Sequence, residues 1–307
     1  MPRTRTLLAG LLAAAVLPLA ACGSAEDPLA PSQPAGTNAG TGGASSVTIG
    51  SADFPESALL GEIYAQALEA KGVTVQRQFN IGNRETYLKA IEGGEVDILP
   101  EYTGSLTNYF DKTVTATNPD EVYDALKSKL PGGLTVLAKS TAEDKNSMVV
   151  TKETADAWSL KAIPDLVAHQ DELSIAAPPE FRTRQQGLVG LKEVYNLEPK
   201  EFRPLASQAT VEALKNGQVK AANIFSTDPS IAANGFVVLE DPELLFGSDN
   251  VVPLVRDDVA GSVQAPLDAV SAKLDTTALA DMVKQVVVDK KDASVVAKEW
   301  LTGAGLI

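Results

Sequence analysis

Short apolar runs alternate with segments of helical period from residue 47 to residue 99, and this alternation narrows the fold more than any other feature of the chain. Residues 47–50 read as a strand ended by glycine. Pro55 and Glu56 then suit the first turn of a helix, where proline's missing N–H costs nothing and an acid faces the positive end of the dipole. Leu59, Leu60, Ile63, Ala67 and Leu68 recur at helical spacing before Gly72. Strands are expected over 73–79 and 96–99, with a helix after Asn83 that carries Tyr87, Leu88 and Ile91 on one face. The pattern returns later, with strands over 173–177, 221–225, 236–239 and 251–255 and helices over 188–195 and from Thr210. The last forty residues read as helical, with Asp275 or Thr276 as one cap and a final helix over 293–301. Such alternation predicts α/β sheets. At 307 residues, 44% of them hydrophobic, the chain suffices for about two lobes.

The N-terminus carries a different signal. Arg3 and Arg5 precede an apolar run over 7–19 that is too short to span a bilayer comfortably. Small residues then lead to Cys22, the only cysteine of the chain. The segment Leu19-Ala20-Ala21-Cys22 resembles the bacterial lipobox, in which the leader is cut before the cysteine and its sulfur is lipidated. An ordinary signal peptide with an unrelated cysteine is the alternative. Residues 1–21 are thus expected to be a lipoprotein leader and Cys22 the lipidation site. Residues 22–46, rich in Ala, Gly, Ser and Pro, bury too little apolar surface to offset their ordering entropy and are expected to form a tether. Anchoring at the extracytoplasmic face of the bacterial cell membrane follows, with contact through the lipid alone.

A formal net charge of −14 makes nucleic acid a poor partner, since an acidic surface repels phosphate backbones. Catalytic signals are weak. The single histidine, His169, sits in a polar stretch and reads as a surface residue; with one His and one Cys, a zinc cluster or a Cys–His pair cannot be assembled. No cofactor motif is present. The pairs Glu240-Asp241 and Asp257-Asp258 read as solvated loop charges rather than an acid/base couple.

Specific motifs run through the region after the tether. Gly50-Ser51-Ala52-Asp53-Phe54-Pro55-Glu56-Ser57 with Leu60-Gly61-Glu62 opens it, followed by Gly94-Glu95-Val96-Asp97-Ile98 and Glu101-Tyr102-Thr103-Gly104-Ser105. Glu180-Phe181-Arg182-Thr183-Arg184-Gln185-Gln186-Gly187-Leu188, Phe225-Ser226-Thr227-Asp228 and Leu239-Glu240-Asp241 come later. In order and spacing these motifs resemble the osmoprotectant-binding proteins of ABC importers, the glycine betaine, choline and carnitine binders of the ProX/OpuC type. The resemblance implies a two-lobed type II periplasmic-binding-protein fold with hinge crossovers. Residues 47–146 and 240–307 would form one lobe and 147–239 the other. It implies a monomer without enzymatic activity or cofactor, which captures a small solute and delivers it to a permease driven by a cytoplasmic ATPase.

The family site surrounds a quaternary ammonium with aromatic rings, because a methylated cation cannot donate hydrogen bonds and is attracted to ring faces instead. By resemblance Tyr102 matches a cage tyrosine, Ser105 a hydroxyl donor and Arg184 the arginine that grips a carboxylate, with Arg182 as the alternative. Phe225 stands where a cage tyrosine is common, or else is a core residue at a strand end. Asp53 and Thr103 join the candidate set from the same motifs, and Glu101 reads as a buttress of its loop. Three positions depart from the family pattern. Ala52 replaces a lysine, Asp249 replaces a cage tyrosine, and the stretch around Asn146-Ser147-Met148 lacks an aromatic. Asp249 is therefore expected either to pair with an ammonium directly or to belong to a roomier pocket for a larger, hydroxylated or aromatic solute. An extracytoplasmic enzyme on this fold, or a sensing or adhesive lipoprotein, stands beside these readings because fold alone does not set function.

Overall fold

The computed structural model describes residues 46–307. The expected leader, Cys22 and all but the last residue of the expected tether lie outside the described residues; that last residue, Ser46, is the first of a strand. The chain opens with β1 (Ser46–Gly50), α1 (Pro55–Glu69), β2 (Thr74–Gln78), α2 (Arg84–Glu92) and β3 (Ile98–Tyr102). It continues with α3 (Thr103–Phe110), α4 (Pro119–Lys129) and β4 (Leu134–Val136). After a crossover come β5 (Asn146–Val150), α5 (Lys152–Trp158), β6 (Ser174–Ala177), α6 (Gly190–Tyr195) and β7 (Glu201–Pro204). This half is completed by α7 (Gln208–Lys215), β8 (Ala221–Phe225), α8 (Ser230–Ala233) and β9 (Val237–Val238). A second crossover leads to β10 (Val251–Arg256), α9 (Asp257–Ser271), α10 (Thr276–Val287) and α11 (Ala293–Gly303).

The strands form two five-stranded sheets, in the orders β2-β1-β3-β10-β4 and β7-β6-β8-β5-β9. The two have the same plan. Three strands run parallel, and the fourth, entering directly from the other lobe, pairs antiparallel with the third: β10 with β3, and β5 with β8. Each sheet has its own apolar core. In the first lobe α1 is buried through Leu59, Leu60, Ile63 and Leu68, and in the second Leu166, Leu173, Ile175 and Leu191 are fully enclosed.

Several expected elements shift for identifiable reasons. The strand expected over 96–99 lies at 98–102, because β10 pairs with it residue by residue from Val255↔Ile98 to Val251↔Tyr102. Asp275 caps α10 by accepting from Ala278 N at 2.8 Å, whereas the Thr276 hydroxyl takes Glu143 N at 3.0 Å. Residues 240–246, expected with the first lobe, pack on the second instead. There Leu245 and Phe246 join the core around Leu191, and Asp241 accepts from Leu245 N, Phe246 N and the Tyr195 hydroxyl. An acid closing its own turn and an apolar pair behind it hold this segment to the second lobe.

The carboxyl ends of the parallel strands of both sheets converge, which is where open α/β sheets receive ligands. Two contacts fix this edge in the first lobe. The guanidinium of Arg84, at the start of α2, donates two 2.8 Å bonds to Glu101 of β3, which also accepts from the Tyr87 hydroxyl and Tyr102 N. Glu101 is fully enclosed. The other contact is a close approach at Gly104, where a Cβ would fall 2.3 Å from the Ser248 carbonyl oxygen. Glycine there lets α3 sit against the returning chain. Arg84→Met should therefore destabilise the protein by about 3–5 kcal/mol, since Glu101 would stay buried without its partner. Gly104→Ala should cost about 1–3 kcal/mol through forced separation. Urea unfolding midpoints of the two variants check both values.

Candidate ligand-binding site

A cavity of about 840 Å³ lies between the lobes, lined by residues that follow β1 and β3 on one side and β6 and β8 on the other. Its aromatic wall is built from both halves. Phe54, in the loop between β1 and α1, faces Phe225 at the end of β8 with ring centroids 5.5 Å apart, and Tyr102 at 6.3 Å. Tyr102 and Phe225, singled out in the sequence, are thus brought together by Phe54, which was not. Its signal was available: it is a large apolar residue in the loop after the carboxyl end of β1, where open α/β sheets receive ligands.

Behind the rings lies a buried polar network. Glu56, in the first turn of α1, accepts from the Tyr102 hydroxyl on one oxygen and from the Thr227 hydroxyl on the other, both at 2.6 Å. Asp144, on the first crossover, accepts from Thr227 N at 3.0 Å and Ser226 Oγ at 3.2 Å, and its carboxyl neighbours that of Glu56, with Thr227 bonded to both. Burial pushes the Glu56 carboxyl up, against the bonds from Thr227 and Tyr102. Burial raises Asp144 well above the usual carboxylate range, and the neighbouring Glu56 charge adds to it. Sequence reading missed both acids, because neither desolvation nor their meeting is visible in local pattern.

Ser105 and Asp249 meet as well. Asp249 accepts from Ser105 N at 2.9 Å and from Ser105 Oγ at 2.5 Å, and burial pushes its carboxyl up to about 7. The Ser105 hydroxyl also lies 2.9 Å from Gln186 Oε1 in the second lobe, and Gln186 in turn donates to the Phe246 carbonyl. Arg184 lines the cavity, but its guanidinium reaches across to Glu85 of α2 at 3.0–3.3 Å and lies 3.7 Å from Glu180. Although partial burial works against the Glu85 charge, the Arg184 bonds hold its carboxyl below the ordinary value. Arg182 instead covers the Phe202 ring at 4.8 Å and does not line the cavity.

Asp53 lines the cavity from an exposed position. Thr103 corrects the expectation placed on it. It is fully buried, donates its N–H to the Asn250 carbonyl and accepts from Asn250 N, and so braces the second crossover instead of facing the cavity. His169 stacks on Trp158 at 4.3 Å, outside the cavity.

Residues 45–303 match the family described as the substrate-binding domain of the ABC-type glycine betaine transport system. The glycine betaine-binding protein YehZ of Escherichia coli (strain K12) is 30% identical over 280 residues, covering 85% of this chain and 92% of that protein. A solved structure of apo YehZ from Escherichia coli aligns with a TM-score of 0.61 at 28% identity, over 86% of this chain and all of that one. A structure titled as a glycine betaine/carnitine/choline ABC transporter aligns with a TM-score of 0.67 at 21% identity, over 85% of this chain and 99% of that one, and shares the two-lobed α/β architecture. That architecture is the type II periplasmic-binding-protein fold, and members of the matched family are extracytoplasmic substrate-binding proteins that work with a permease and are not enzymes. With its two sheets, its crossovers and its inter-lobe cavity, the chain belongs to the family of substrate-binding domains of ABC-type glycine betaine transport systems.

Proposed function

We propose that this protein is anchored through a lipid on Cys22 and closes its lobes on a quaternary ammonium solute, which it hands to a permease powered by a cytoplasmic ATPase. The observation that carries this reading is the ring wall of Phe54, Tyr102 and Phe225, contributed by both lobes and set on one cavity. Ring faces attract a methylated cation by about 2 kcal/mol each once water is excluded. Closure is supported by bonds that span the lobes: Thr227 to Glu56, Ser105 with Gln186, and Arg184 to Glu85. Arg184 acts as a latch on the closed form, and a ligand carboxylate would reach it only by displacing Glu85. Residues 47–146 and 240–307 serve as the lobe of α1, and 147–239 as the moving partner, with residues 240–246 riding on the latter. The chain works as a monomer.

A larger solute is the second reading, favoured by one observation. The cavity volume of about 840 Å³ lies in the upper part of the range for drug-sized ligands, roughly 300–1,000 Å³.

Two expected outcomes test the proposal. In a thermal-shift screen followed by calorimetry, glycine betaine, choline or carnitine at a hundredfold over its Kd should stabilise the fold by about 2.7 kcal/mol. Phe54→Ala should weaken the bound compound roughly thirtyfold, the equivalent of about 2 kcal/mol. An unchanged Kd would remove the ring wall from the site. Separately, Cys22→Ser should release the protein from the membrane fraction into the medium or periplasm, read by immunoblot of the two fractions. Retention on the membrane would exclude the lipid anchor.

A further inference from the structure

The cavity wall is richer in acid than a site for a zwitterion requires. Glu56, Asp144 and Asp249 all line it, and their residues are 4%, 3% and 2% exposed. Among the described residues, the buried guanidinium on that wall is Arg84, and it is committed to Glu101. Arg184 is committed to Glu85 and Glu180. Lys112 and Lys290 also line the cavity, but from exposed positions where water screens them. Three buried carboxyl groups therefore share one enclosure with no uncommitted buried cation among the described residues. An isolated buried carboxylate costs several kcal/mol, and two carboxyls in contact do not both ionise. Burial thus favours the protonated form of these acids, and a cation among them favours the charged form.

We infer that the solute is a net cation carrying no carboxylate of its own, and that its arrival expels a proton from the cluster of Glu56, Asp144 and Asp249. This rests on the solute-binding reading of the same cavity and adds the charge of the ligand and its coupling to protons. The exchange balances: one positive charge enters, one O–H bond breaks, and the proton leaves to bulk solvent. The positions fit. The Glu56 carboxyl accepts from Tyr102, so a cation held against the rings of Phe54, Tyr102 and Phe225 lies in the field of that carboxyl.

The cluster is faced by groups from several elements. Glu56 meets Tyr102 of β3, Thr227 and Asp228 after β8, and Asp144 of the crossover. Asp144 meets Ser226, Thr227 and Glu56. Asp249 meets Ser105 of α3 and feels Arg84 and Glu101. Burial lifts the Tyr102 hydroxyl well above its ordinary value, and the guanidinium of Arg84 stays charged against Glu101. The sign of the effect follows. A cation favours the ionised acids, so its affinity is full where they are already ionised and falls as pH drops below about 7, where burial holds Asp249 protonated.

The test compares choline, a cation, with glycine betaine, a zwitterion bearing the same trimethylammonium head. Both are titrated calorimetrically into the full-length chain at about pH 8 and about pH 6, the lower pH in phosphate and in Bis-Tris, which both buffer there and whose ionisation enthalpies differ. Choline should bind at least about tenfold more tightly than glycine betaine at the higher pH. It should lose roughly tenfold per pH unit in the acid range and release close to one proton below about pH 7. Asp249→Asn and Asp144→Asn, each checked for folding by circular dichroism, should reduce both the proton release and the preference for choline. Glycine betaine binding as tightly as choline, or choline binding without proton release, would overturn the inference and leave the solute-binding role standing. Failure of both compounds to bind would remove the quaternary-ammonium reading itself, and the inference with it.

Discussion

A single carboxyl group, that of Glu56, ties the two lobes together at the depth of the cleft. One oxygen accepts from Tyr102 of the first lobe and the other from Thr227 of the second, so the same side chain is satisfied only when the lobes are together. A buried acid left half-paired is expensive, because its desolvation is no longer offset by hydrogen bonds. The closed arrangement thereby gains what an open one would recover only from water. Because Glu56 sits in the first turn of α1, two residues after Phe54, the bond that joins the lobes also sets the aromatic wall.

The backbone explains why these groups arrive at one place. Each sheet ends its parallel strands at the seam, and each receives a strand from the other lobe in the opposite sense. The crossovers accordingly run beside the carboxyl ends of β3 and β8. Asp144 and Asp249, one on each crossover, are carried to the cavity by the same topology, and Asp144 N bonds directly to the Asp249 carbonyl. Hinge and ligand chemistry therefore share backbone. A change of charge at either acid is felt where the lobes turn, and a change in the turn alters which groups are desolvated.

Much of the architecture was legible in the chain. Apolar period marked β1, α1, β8 and β10 because each is buried along one consistent face or run. The E-Y-T-G-S motif placed Tyr102 and Ser105 at the cavity. Other elements were hidden for physical reasons. The half-exposed β7 offers only Phe202 as an apolar residue to read, and the true limits of β3 depend on a strand about 150 residues further along the chain. The site was harder still. Thr103 lies between two cavity residues yet turns inward to Asn250, because it opens α3 where the chain leaves β3 beside the second crossover. Arg184 carried the right chemistry for a carboxylate, but the partner it found, Glu85, comes from the opposite lobe. Glu56 looked like an ordinary first-turn acid; only the approach of Tyr102 and Thr227 makes it the centre of the cleft.

Asp249 on the cavity wall adds charge to a site whose rings offer dispersion and a quadrupole. A ring face attracts a methylated cation without caring about pH, whereas a buried carboxyl does so only after losing its proton. Ser105 sits at the junction. Its N–H and hydroxyl both reach Asp249, which stabilises the ionised form, and its hydroxyl also contacts Gln186 across the seam. Ionising Asp249 strengthens its hold on the single Ser105 hydroxyl proton, which is then withdrawn from Gln186 Oε1 across the cleft. The protonation state of one acid is thereby linked to a contact between the lobes, and the solute that sets that state acts on closure through it.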